Sequence, residues 1–197
     1  MITIPLQHAE SQPWRLPSRG VVAMSALITA ESAIFTIVVV AYLYYVGRDV
    51  SGPTPREVLE IPIFGTVCLL SSSFFIVLAE HAITHAKMKS FTLWWSVTIL
   101  LGAIFLGDTA REWYKLIVHD HLTISTNLFG TTFYSLVGLH ASHVIIGLLM
   151  MLVVFAFALT RKLEPAHAYR VKVLALYWHF VDAVWVVVFT VVYIIGR

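Results

Sequence analysis

The sequence predicts an all-α, polytopic membrane protein: a bundle of five transmembrane helices. Three observations predict it. Hydrophobic residues make up 59% of the 197 and charged residues only 12%, against roughly 25% charged residues in an ordinary soluble domain. Five apolar stretches come close to or exceed the roughly 20 residues that carry a helix across a hydrocarbon core. Short connections between them hold most of the proline and charge that the stretches lack. A formal net charge of only +2, with no basic block, excludes a nucleic-acid partner.

Residues 1–20 contain two arginines and three prolines before any long apolar run, whereas a cleaved leader places its apolar stretch just after a short basic start. A polar N-terminal tail is expected there, followed by one five-helix domain over 21–197 whose first helix is retained. Stretch 21–47 carries a single charge, Glu31. Stretches 61–79 and 90–107 carry none, and the latter runs into Asp108 and Arg111. Stretch 122–160 has no Asp, Glu, Lys or Arg. Folding it into two spans needs a turn inside the membrane, with helix breakers and partners for the freed backbone groups. It offers Gly130, Gly138 and Gly147 but no proline, so one long helix over 128–160 is expected, with 123–127 as a polar lead-in rich in potential N-caps. Stretch 173–195 carries only Asp182. Cys68, the one cysteine, lies inside an apolar run and cannot build a disulfide framework or a thiolate metal site.

Lysine and arginine in the short flanks set the orientation. Arg15, Arg19, Lys87, Lys89, Arg161, Lys162, Arg170 and Lys172 fall on one side, eight in all; Arg48, Arg56, Arg111, Lys115 and Arg197, five in all, fall on the other. The N-terminus is therefore expected in the cytoplasm and the C-terminus outside. Tyr42, Tyr44, Tyr45, Trp94, Trp95, Trp113, Tyr114, Trp178 and Tyr193 lie mostly toward the stretch ends, where interfacial aromatics belong.

The ionisable residues inside the stretches are the candidate functional groups. Glu31 sits about ten residues into the first span. A charge at that depth costs about 2.5–3.5 kcal/mol on insertion scales, so Glu31 is expected to face the bundle interior or a partner subunit, either handling a proton or bonding two helices together. His140, His143 and Gly147 share one face of the fourth span, with Gly138 and Ser142 as a second pair of small residues for close approach. Two histidines on one helix face cannot clamp both sides of one haem, and His179 cannot serve both; hydrogen bonding between helices is the simpler account. His179 and Asp182 are neighbours on the fifth span, each making the other tolerable in lipid. Glu80, His81 and His85 cluster where the second span ends. Their spacing suits a metal, but the HExxH pattern and a third ligand are missing, which leaves an interfacial polar face. Asp108, Arg111, Glu112 and Lys115 are spaced for solvated ion pairing along the helix.

Several motifs resemble one family. YWHFVDAVWVVVFTVVY (177–193) resembles the last helix of cytochrome c oxidase subunit III, and GTTFYSLVGLHASHVIIG (130–147) its preceding helix. LLGAIFLGDTAREWYKL (100–116), ending in Glu112 and Trp113, and Ala30-Glu31 followed by AYLYY resemble two earlier stretches. The resemblance runs from residue 21 to the end. The mitochondrial form has seven helices, and this chain lacks the first two, as many bacterial versions do. Ala30 stands where the family usually has serine, and Asp108 where glutamine is frequent.

The resemblance implies an accessory subunit of a proton-pumping haem–copper oxidase that reduces oxygen to water. Haems and copper are then expected in partner subunits, with no cofactor, catalytic residue or metal ligand in this chain. Subunit I is the implied main partner, beside subunit II and bound phospholipid, in the inner (plasma) membrane. Carried over, Glu31 matches the family's carbodiimide-reactive carboxyl, linked to proton uptake. His140, His143, Gly147, Trp178, His179, Asp182, Trp185 and Glu112 fall on motif positions of structural or lipid-associated character. Two other readings compete at this stage: a related accessory protein of nitric oxide reduction, and a stand-alone b-type cytochrome or metal enzyme using His140, His143 and His179.

Overall fold

The computed structural model describes residues 18–48 and 52–197, so all but the last three residues of the expected tail lie outside the described residues. Helix α1 (Arg19–Tyr45) is followed by a one-turn α2 (Pro55–Val58), then α3 (Ile63–Thr84), α4 (Met88–Val118), α5 (Leu128–Leu159) and α6 (Ala168–Phe189), whose end continues as a π-helical turn over Thr190–Ile195. No strand occurs among the described residues, and five helices are long and apolar enough to cross a membrane. The 32 residues of α5 make a rod about 48 Å long, well beyond a ~30 Å hydrocarbon core; it is one helix, as its lack of breakers requires.

Several helix ends find partners for their orphan backbone groups. The Asn127 side chain caps α5, accepting from Gly130 N at 2.8 Å. The Thr54 N–H donates to Glu57 at 2.9 Å at the start of α2. The Tyr169 hydroxyl accepts from Val21 N at 2.8 Å and meets Ser18, tying the start of α1 to α6. Helix α3 begins after Pro62, which has no capping side chain. Its Gly65 N–H is taken instead by Asp108 of α4, at 3.1 Å. The C-termini of α3 and α5 close alike: Lys87 N reaches Ala82 O and Lys162 N reaches Phe157 O. Both turns need a left-handed residue, here Ala86 (φ 57°) and Arg161 (φ 55°).

Helices α3 and α4 form a closely packed hairpin. α5 packs on α4, α6 on both α3 and α5, and α1 lies along α5 and α6. The interior is aromatic: Trp95, Trp178, Trp185, Tyr42, Tyr193, Phe91 and Phe105 are all essentially inaccessible. Placing Tyr42, Trp95, Trp178 and Tyr193 in interfacial belts is therefore wrong. The first is closed over at the end of α1, and the others are held in the core, where the indoles of Trp95, Trp178 and Trp185 each find an acceptor. Trp95 Nε1 donates to Met151 O at 3.0 Å, Trp178 Nε1 to Ser72 at 2.8 Å, and Trp185 Nε1 to Thr66 at 3.2 Å. Tyr44, Tyr45 and Tyr114 do point outward. The outer surface of the spans is Ile, Leu, Val and Phe, such as Ile37, Phe74, Leu100, Leu149 and Val153, a face suited to lipid.

Helix α4 outruns its apolar stretch by eleven residues. Its charges do not pair along the helix. Asp108 caps α3, Glu112 turns inward, and Lys115 binds Glu60 across the bundle end. A helix whose Asp108, Glu112 and Lys115 are each bonded by a neighbouring element has no reason to stop where hydrophobicity does.

Candidate functional site

Of the ionisable residues read from the sequence, Glu31, His140, His143, His179 and Asp182 lie well inside the spans. On one flank Glu31 of α1 meets His143 of α5, Oε2 to Nε2 at 3.2 Å, with side-chain exposures of 24% and 10%. His143 Nδ1 lies 2.8 Å from Leu139 O. A carbonyl can only accept, so Nδ1 carries its hydrogen and Nε2 faces Glu31. A bare carboxylate against an imidazole lone pair would repel. The pair therefore holds one proton between them, as carboxylic acid and imidazole or as carboxylate and imidazolium. Phe35 tilts over the His143 ring at 5.0 Å, and the Tyr177 hydroxyl donates to His143 O at 3.2 Å.

On the other flank α6 meets α3. His179 and Asp182 do not bond each other; both reach Ser73. The Ser73 hydroxyl donates to Asp182 Oδ2, so the Ser73 oxygen accepts from His179 Nδ1 at 3.0 Å. The result is a three-member relay, His179 to Ser73 to Asp182, across the α3–α6 interface. Ser73 was not singled out from the sequence. Its only signal is the run of three serines, 71–73, inside an otherwise apolar span.

His140 and His143 share a helix but not an environment. His140 is completely buried, stacked on Trp185 (5.0 Å, 29°) with Phe105 edge-on at 5.8 Å. Gly147 and Gly102 seat Trp178: a Cβ on either would lie 2.9 Å from its ring. Trp178 thus spans α3, α4 and α5 one turn before Asp182, and Trp185 does the same one turn after it. Gly138, by contrast, has only ordinary contact, with Trp113.

At the bundle end carrying Arg111 and Lys115, both Glu112 oxygens accept from the Tyr193 hydroxyl, at 3.0 and 2.9 Å. A cavity of about 300 Å³ opens beside them, lined by Glu60, Asp108, Arg111 and Lys115 among others. Outside the spans, the Lys115 ammonium holds the Glu60 carboxyl below its usual range, and hydrogen bonds from Thr54 do the same for Glu57. At the opposite end His81 and His85 lie ring to ring at 4.1 Å, and Glu80, His81, Tyr169 and Lys172 line a cleft of about 320 Å³. An apolar groove of about 430 Å³ runs between α1 and α6, past Ser32, Phe35, Thr36, Val39, Phe180 and Val184. Among the described residues no three of His, Cys, Asp and Glu converge as a metal cluster.

A model of the family described as cytochrome c oxidase subunit III matches residues 44–197. The chain is 38% identical over 168 residues to the cytochrome c oxidase subunit 3 of Bacillus sp. strain PS3, covering 84% of this chain and 81% of that protein. It is 30% identical over 194 residues to the quinol oxidase subunit 3 of Bacillus subtilis strain 168, covering 98% and 93%. With the cytochrome bo(3) ubiquinol oxidase subunit 3 of Pseudomonas aeruginosa it shares 36% over 171 residues, covering 86% and 81%.

Proposed function

The chain belongs to the cytochrome c oxidase subunit III family, and from that premise we propose that it is the non-catalytic accessory subunit of a proton-pumping haem–copper terminal oxidase in the plasma membrane. It packs against subunit I, beside subunit II, with its N-terminus in the cytoplasm. The redox centres belong to those partners, and the choice of cytochrome c or quinol as donor is made there. In this chain Glu31 is the proton-linked carboxyl and His143 its partner. His140, Gly147, Trp178, His179, Asp182, Trp185 and Glu112 hold the helices in register. The apolar groove between α1 and α6 receives a phospholipid chain.

The observation that carries this reading is where the ionisable groups spend their bonds. Glu31 faces His143, Asp182 and His179 face Ser73, and Glu112 faces Tyr193. Each bonds to another element of the same chain. An intramembrane acid is tolerated when paired in this way, and the arrangement supports a scaffold with one exchangeable proton on its flank.

Mild-detergent purification of the tagged chain from its native membrane tests the proposal. Oxidase subunits I and II are expected to co-purify, and the chain stripped of them is expected to lack a Soret band. Recovery with nitric oxide reductase subunits instead, or a stoichiometric haem on the isolated chain, overturns it.

A further inference from the structure

Helix α3 ends on two histidines one turn apart, His81 in its last turn and His85 at its C-cap. Their rings lie 4.1 Å centre to centre and 32° from parallel, and both residues are exposed. Spacing alone left them as part of an interfacial polar face. The structure adds how the rings are held. His85 Nδ1 lies 2.8 Å from His81 O. A carbonyl only accepts, so Nδ1 carries the hydrogen, and Nε2 of the neutral ring is a bare lone pair. Metal-bound histidines are held in this same way, the second nitrogen donating to a carbonyl or carboxylate. His81 makes no hydrogen bond through its ring nitrogens among the described residues, so nothing in the chain commits them elsewhere. Its ring also borders the cleft of about 320 Å³ shared with Glu80, Thr84, Tyr169 and Lys172, which has room for water beside an ion.

We propose that His81 and His85 form a two-histidine site for a divalent transition metal that favours imidazole, Zn2+ or Cu2+, with water in the remaining positions. Neutral imidazole is the commonest protein ligand for such ions. At this spacing the Cβ atoms stand about 5–6 Å apart on one helix face, so rotation of two exposed side chains brings Nε2 of His85 and one nitrogen of His81 onto a common ion. Once one ring binds, the other is already tethered beside the ion, and the second bond forms at high effective concentration. Hard ions such as Mg2+ prefer oxygen ligands and keep their water, so the site discriminates against them. Lys172 lies in the cleft, but Glu80 lies there with it, so the lining does not repel a cation as a whole. The bound ion closes a ring over the last turn of α3 and stabilises the folded chain by mass action. It is an exchangeable ion at the bundle end, separate from any redox centre, and the proposal does not depend on the accessory-subunit reading.

Zn2+ binding to the full chain in detergent, prepared without a polyhistidine tag, is the test. Equilibrium dialysis of wild type is expected to show a Zn2+ site that excess Mg2+ does not empty, and saturation is expected to raise the thermal midpoint. Second-shell partners alone are worth about 10–100-fold in metal affinity, so removal of a ligand, in His81→Ala or in His85→Ala, is expected to weaken this site by at least as much and to abolish the rise in midpoint. Both side chains are exposed, so the midpoint without metal is expected to stay near that of wild type. Zn2+ bound equally by wild type and both variants, or displaced by Mg2+, overturns the proposal. Loss in one variant only shows a single-histidine contact and overturns the chelate.

Discussion

A single shared proton makes Glu31 and His143 separable by substitution. Glu31→Gln keeps a hydrogen-bonding amide opposite His143 Nε2, so the complex is expected to assemble with its thermal midpoint nearly unchanged. Its proton uptake, or its inactivation over repeated turnovers, is expected to change, because an amide cannot take up or release the proton. Wild-type behaviour in both assays would reduce Glu31 to a structural acid. His143→Leu is different in kind. It leaves a half-buried carboxyl without its partner, a loss of about 1–3 kcal/mol. A double-mutant cycle with Glu31→Gln should show a non-zero coupling between the two positions. Glycines divide just as sharply. Gly147→Ala drives a methyl against the Trp178 ring, already seated on Gly102 from the other side, and is expected to cost about 1–3 kcal/mol. Gly107→Ala meets nothing within 4 Å, so only the gain in helix propensity, about 0.4–1 kcal/mol, is left, and the melting temperature should rise slightly. The sequence marks Gly147 by its spacing from His143. It cannot mark Gly102, whose only distinction is the indole that arrives from a helix some seventy-five residues later.

Two helices end on left-handed residues that carry side chains. Ala86 and Arg161 occupy the position that glycine takes most easily. Ala86→Gly is expected to stabilise the α3–α4 hairpin by about 0.5–1 kcal/mol, the relief of the left-handed penalty less the added freedom of the unfolded chain. A lower thermal midpoint would show that the turn is held by other contacts. Asp108 argues in the opposite direction. Asp108→Ala uncovers the Gly65 N–H at the start of α3, and loss of a cap costs about 0.5–2 kcal/mol. Amide hydrogen exchange should speed up at 63–66 and stay unchanged near Thr84. Glu60 gives this end of the bundle a pH dependence. Lys115 holds its carboxyl below the value it has unfolded, so the contribution is complete above the unfolded value and disappears as pH falls through the lower folded one. Being exposed, the pair should also weaken with salt. Hydropathy locates the helices but not their ends, because the ends here are set by residues distant in sequence. Asp108 caps a helix that starts 45 positions earlier, and Tyr169 of α6 closes α1 at Val21 from 148 positions later.

Five spans fix which loops share a side, and the structure brings those loops together. Ser18, Lys87, Lys89, Arg161 and Tyr169 lie at one end; Glu60, Lys115, Pro53, Asn127 and Tyr193 lie at the other, joined by the contacts of Lys115 with Glu60 and of Asn127 Nδ2 with Pro53 O at 3.1 Å. This much was legible in the sequence, because a bilayer leaves helices as the one way to satisfy the backbone of an all-α chain and twenty apolar residues at a time are easily counted. The interior was legible only as a set of residue types. Which imidazole meets an acid and which meets an indole depends on helix rotation, and α5 is too uniformly apolar for its sequence to specify that rotation. His140 and His143 show it: three residues apart, one faces α1 and the other faces α6. Which end faces the cytoplasm rests on the excess of Lys and Arg at the Ser18 end. Cys68 is nearly buried in α3, so Cys68→Ala gives a quiet background for labelling. In that background a cysteine at Lys89 is expected to resist a membrane-impermeant maleimide in intact cells and to react in inverted vesicles, with a cysteine at Thr126 doing the reverse. The opposite pattern would put Glu80, His81 and Lys172 outside and would overturn the cytoplasmic placement of the N-terminus.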